Sequence, residues 1–266
     1  MLRGFINVVE RFLHMLTESF VLLPSVRQTR ERAIWSQGIG SWQDFLSRES
    51  VKGIGGAHKE RCNNLLRVAD RHLRGKNAAF FTNALRFCDQ WRLYETFKDE
   101  AVYLDIETDG YYGGITVVGL FDGFETKTLV RGFNLDKHLL QKELSRYQLL
   151  ITFNGKSFDV PILERYFGMR INLPHVDLRF VCAKAGYTGG LKSIEKQLGI
   201  RRRQEVQNIS GEDAVYLWEM WKSTGNRDYL EKLVMYNEED ILNLRPLASQ
   251  VVPKLWEHTR QAPLRQ

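Results

Sequence analysis

The chain has 266 residues, 43% of them apolar and 26% charged, a balance that excludes a disordered or fibrous protein and is large enough for one big domain or two smaller ones. Three scattered cysteines, Cys62, Cys88 and Cys182, show no CxxC or Cys/His spacing, so neither a disulfide framework nor a structural zinc is expected, and a reducing, cytoplasmic setting fits. The net charge of +6 is uneven: residues 1–100 hold 16 Lys and Arg against 11 Asp and Glu, the remainder 22 against 21, so the basic excess that would attract a polyanion such as nucleic acid is N-terminal.

Phe5, Val9, Phe12, Leu13 and Leu16 recur at helical spacing, but Glu10, Arg11 and His14 interrupt them. This pattern predicts an amphipathic helix packed on the body. No stretch approaches the ~20 apolar residues a membrane span needs, so no membrane partner is expected. Residues 1–98 carry helix-like periodicity broken by glycine turns around Gly38 and Gly40 and around Gly53 and Gly56. From Ala101 the pattern changes to short β-rich runs at 102–106, 115–121, 127–130 and 149–153, the first three separated by turns carrying Gly110, Gly113, Gly114 and Asp122-Gly123. An antiparallel meander is expected there, followed by a helix, a further strand and more helices. The later helices fall at 158–168, 190–198, 211–222 and 228–244, with an extended piece at 175–178. Pro246 and Pro253 are expected to bound a separate last helix. The organisation is then a helical region over 1–98, an α/β domain over 99–258 with a mixed sheet flanked by helices, and a tail over 259–266.

Three motifs carry candidate chemistry. In AVYLDIET, alternation along a strand points Asp105 and Glu107 to one face while Val102, Leu104 and Ile106 enter the other layer, so two carboxylates meet at a strand end. Oxygen donors of that kind suit Mg²⁺ or Mn²⁺. In TFNGKSFDVP, Asn154-Gly155 makes the turn, Pro161 suits the first turn of a helix, and Asp159 reads either as a helix cap or as a further acid above the sheet. Asn154 reads either as turn chemistry or as a site-orienting group. In YNEED, Tyr236 and Asp240 stand four apart on one helix face, with Glu238 and Glu239 expected to face solvent.

Together, in this order, the motifs resemble those of the DEDD 3′→5′ exonucleases within the ribonuclease H-like fold. The Asn-Gly-x-x-Phe-Asp-x-Pro form looks like the proofreading domains of family B polymerases. Through YLDIET, ITVVGLFDG, LLITFNGKSFDVPIL, HVDLRF, GGLKSIEKQLGI and YNEEDILNL, residues 100–245 are most similar to the YprB-type predicted exonuclease group. The resemblance implies a ribonuclease H-like α/β fold and hydrolysis of DNA or RNA phosphodiesters by two divalent ions, Mg²⁺ or Mn²⁺. It implies Asp105, Glu107, Asp159 and Asp240 as metal carboxylates and Tyr236, the tyrosine-subgroup position, as the residue that orients the attacking water. An unperturbed phenol is a poor base near neutrality, which fits an orienting role. Asn154, Lys156, Asp177 and Lys192 are subsidiary candidates for substrate contact, each with a plainer reading as a turn, cap or solvated lysine. The run Arg201-Arg202-Arg203 reads as a loop or as a backbone-tracking patch. Two N-terminal stretches resemble helix-hairpin-helix units, although only Gly53-Ile54-Gly55 keeps the glycine hairpin. Alternatives to the exonuclease are a structure-selective endonuclease on the same fold and a catalytically silent nucleic-acid-binding module. Protein partners are unknown from the sequence.

Overall fold

The computed structural model describes residues 14–110 and 114–261. The helix expected over residues 5–13 and the turn residue Gly113 lie outside them. Leu16, the last apolar position of that pattern, is buried. The chain then forms α1 (Gln28–Trp35), α2 (Trp42–Ser47), α3 (Gly56–Arg74), α4 (Ala79–Ala84) and α5 (Tyr94–Phe97). Ser41 and Asp44 close a reciprocal capping box on α2. Gly53, at φ +85°, supplies the left-handed turn that leads into α3.

The α/β part follows in the order β1 (Ala101–Thr108), β2 (Ile115–Phe121), β3 (Thr126–Val130), α6 (Lys137–Leu144), β4 (Leu149–Thr152), α7 (Asp159–Phe167), β5 (His175–Asp177), α8 (Leu178–Lys184), α9 (Leu191–Leu198), α10 (Gly211–Thr224) and α11 (Arg227–Gln261). The five strands form one mixed sheet in the order β3-β2-β1-β4-β5. β1 pairs antiparallel with β2 and parallel with β4, β2–β3 is antiparallel, and β4–β5 is parallel. This is the expected mixed sheet flanked by helices, with a helical N-terminal region.

Alternation along β1 divides the core. Val102, Leu104 and Ile106 pack with Leu140 and Leu144 of α6 and with Ile162 and Leu163 of α7 on one face. Ala101 and Tyr103 look to the other face, where they join Phe20, Phe45, Trp91 and the second half of α11 in one apolar cluster. Residues of the N-terminal region and of the sheet therefore share a core. A buried ion pair ties the N-terminal region to itself: both oxygens of Glu31 in α1 accept from Arg92, which precedes α5, at 3.1 and 2.9 Å.

Three expectations need correction. Pro246 and Pro253 do not bound a separate helix, because both lie inside the 35-residue α11. Each interior proline costs a helix about 3 kcal/mol, but Leu244, Leu247, Ala248, Val251, Val252, Leu255 and Trp256 around them are all buried. At about 1.5 to 3 kcal/mol for each large apolar side chain, their burial outweighs both prolines. The segment after His175 is extended for three residues and then helical, because the Asp177 carboxylate accepts from the Arg179 N–H and caps α8. α11 also runs through residues 259–261, where a tail was expected, and residues 262–266 lie outside the described part.

Candidate metal centre

Asp105 and Glu107 leave β1 on the face that α11 covers, and Asp240 descends from α11 above them. One carboxylate oxygen from each of the three lies within 4.8 Å of the others. The approach of α11 depends on Gly119, the cross-strand partner of Asp105 in β2. A Cβ there would stand 2.1 Å from Oδ1 of Asn237. Into that space α11 inserts Asn237, whose Nδ2 donates to Oδ2 of Asp105 at 2.9 Å and fixes the carboxylate.

Asp159 is the first residue of α7 and caps no helix; its Oδ1 accepts the Ile106 N–H of β1 at 3.1 Å. It is thereby pinned against the strand that carries the first two acids. The three clustered acids and Asp159, from three distant segments, thus lie close enough to repel one another. Burial, then repulsion from Asp159 and Asp240, pushes Asp105 well above the ordinary carboxylate range. Burial, then Asp240 and Asp159, does the same to Glu107. Burial raises Asp159 to about 7 despite its backbone hydrogen bonds. Asp240 is raised by burial against the opposing pull of Arg202. Such a cluster is unfavourable without positive charge, and its hard oxygen donors suit a divalent cation such as Mg²⁺ or Mn²⁺. Asp105 remains half-exposed, so the cluster opens to solvent on its side.

Tyr236 stands one turn before Asp240, buried, with the Lys192 ammonium 4.9 Å from its ring centre. Burial and the nearby carboxylates push the phenol above its ordinary value, so it keeps its proton at neutral pH. Lys192, half-buried on α9, is shifted downward by burial and by Arg202.

Of the other candidates, Asp177 lies near enough to Asp159 to help raise it. Asp177 organises the turn after β4: its carboxylate accepts the N–H groups of Asn154 at 2.8 Å, Lys156 at 3.1 Å and Arg179 at 3.0 Å. Asn154 adopts the left-handed conformation, φ +68°, and accepts from the Arg179 side chain. The Lys156 ammonium sits 5.1 Å from the Phe87 ring centre. Glu239, expected at the surface, is buried and accepts from the backbone N–H and the guanidinium of Arg203. The basic run is not a free patch either, because Arg202 is buried between Glu195 and Asp240. The motifs did not single out Asn237, Glu195, Arg202 or Gly119. Asn237 had a signal in its helical spacing to Asp240, whereas Arg202 and Glu195 had none beyond an ordinary charge run.

No curated protein and no solved structure matches the chain. Residues 102–252 match the RNase_H_2 model of the RNase H superfamily. The match runs from within β1 to Val252 of α11, more than half the chain, and the acid cluster lies within it: this protein belongs to the RNase H superfamily.

Proposed function

We propose that the protein is a metal-dependent 3′→5′ exonuclease that hydrolyses phosphodiester bonds of DNA or RNA by a two-metal-ion mechanism. The observation that carries the reading is the cluster of Asp105, Glu107 and Asp240, with Asp159 hydrogen-bonded to the same strand and Tyr236 one turn before Asp240. The exonuclease polarity is supported by the resemblance of the three motifs. The four acids would hold the cations, which when bound supply Lewis acidity to the attacking water and the leaving oxygen. Asn237 holds Asp105 in place. Tyr236, protonated at neutral pH, orients the attacking water by hydrogen bonding and does not act as a base. Lys192 contributes a positive charge beside it that favours a phosphate.

The test is incubation of 5′-labelled DNA and RNA oligomers with Mn²⁺ or Mg²⁺ and with chelator. A ladder shortening stepwise from the 3′ end, abolished by chelator, is the expected result. A single internal cut would replace the reading with an endonuclease, and binding without cleavage would replace it with a silent binding module. Asp105→Ala is expected to reduce cleavage to background while the protein stays folded. Tyr236→Phe is expected to retain activity lowered by about 10²-fold. Cleavage by Asp105→Ala at the wild-type rate would refute the site.

A further inference from the structure

Arg202 is a cation in direct contact with the acid cluster, the wrong sign of charge for a metal ligand. It lies in the loop between α9 and α10, with its side chain 6% exposed. Its Nε and Nη2 meet the two oxygens of Glu195 at 2.5 and 2.8 Å. Nη2 also lies 2.5 Å from Oδ1 of Asp240. Glu195 and Asp240 are themselves buried, so a carboxylate–guanidinium–carboxylate chain runs from α9 to α11. Nη1 of Arg202 is buried without a hydrogen-bond partner. A guanidinium held only to tie a loop in place would be expected to use that donor as well. Burial works against its charge, but Glu195 and Asp240 keep it firmly protonated.

We infer that Arg202 is a resident counter-cation that sets the metal affinity of the site: it neutralises Asp240 in the metal-free protein and yields part of that carboxylate to an incoming divalent ion. The inference rests on the reading of the acid cluster as a metal site. Clustered acids, three of them buried, repel one another, and a fixed positive charge on one of them makes the cluster tolerable. The same charge opposes a dication entering at Asp240. Glu195 moderates this opposition, because its carboxylate faces the guanidinium and cancels much of its field.

The two partners therefore have opposite effects on metal binding. Removing the Arg202 charge takes away the competitor and strengthens binding. Removing the Glu195 charge leaves the guanidinium uncompensated, draws it further onto Asp240 and weakens binding. A merely structural tie would shift both variants in the same direction, since breaking it from either end loosens the same loop.

The experiment is Mn²⁺ titration of the chelator-treated full chain, followed by calorimetry or by the free-Mn²⁺ paramagnetic resonance signal, with no substrate present. Arg202→Met is expected to bind Mn²⁺ about tenfold more tightly, and Glu195→Gln about fivefold more weakly, than wild type. Weaker or unchanged binding by a folded Arg202→Met overturns the inference. Should that variant fail to fold, the neutral Arg202→Gln decides: tighter binding by a protein with a wild-type circular dichroism spectrum supports the inference, and equal or weaker binding overturns it. A wild-type chain that takes up no Mn²⁺ overturns the metal-site reading itself and this inference with it.

Discussion

At the scale of single residues, a missing side chain matters as much as the acids do. Gly119 leaves room for Asn237, and Asn237 holds Asp105, so one hydrogen atom in β2 decides where a carboxylate of the cluster sits. Gly119→Ala is expected to destabilise the protein by about 1 to 3 kcal/mol through overpacking, read as a lower midpoint in thermal or urea unfolding. It should also lower Mn²⁺ affinity, because Asn237 is fully buried and has little space to retreat. The acids themselves predict a dependence on pH. Asp105, Glu107, Asp159 and Asp240 all have folded-state values above those of the unfolded chain, with Asp159 near 7. The folded metal-free protein therefore binds more protons than the unfolded one, and the stability this confers is complete below about pH 4 and lost as pH rises through 7. Melting without metal is expected to be several degrees lower at pH 8 than at pH 5, and saturating Mn²⁺ should narrow or reverse the difference. The clustering of Asp105, Glu107 and Asp240 was legible because each sits in a local pattern that fixes its direction: alternation for 105 and 107, helical spacing for 240. Arg202 and Glu195 were not, because a loop arginine reveals its partner only once α9 and α11 are brought together.

At the scale of elements, α11 shows why proline is an unreliable stop. The residues on both sides of Pro246 and Pro253 are buried, so tertiary packing overrides the local rule that would have ended the helix near 244. Ser41 with Asp44 and Ser210 with Asp213 form reciprocal boxes at the starts of α2 and α10. The strands were legible to within one or two residues, because alternating apolar runs bounded by glycine turns leave few registers. The Glu31–Arg92 pair joins α1 to the segment before α5, with Arg92 also stacked against Trp91 and Trp256. No periodicity could have matched two charges 61 positions apart. Arg92→Ala leaves Glu31 buried without its cation, and is expected to cost about 3 to 5 kcal/mol in equilibrium unfolding. Replacing both residues with apolar ones of similar volume should recover most of that loss.

At the scale of the whole molecule, the helical region and the sheet are joined by a continuous apolar cluster that includes Phe20, Trp91, Tyr103, Ile151 and Trp256. A fragment beginning at Lys98 would expose the face of the sheet and of α11 that this cluster covers. It is expected to aggregate or to melt without a cooperative transition, whereas the full chain melts cooperatively; light scattering and calorimetry distinguish the two. A change in composition near residue 98 was legible, but the extent of the shared core was not, since the packing of two regions against each other leaves no local pattern.

The strand order has a consequence for motion. β1 is the middle of five strands, hydrogen-bonded on both sides, so its amides belong among the slowest to exchange with solvent. Asp105 and Glu107 thus form a fixed jaw. Asp240, carried by a helix outside that hydrogen-bonded ladder, forms the more adjustable jaw, while Asp159 is held to β1 by the Ile106 N–H.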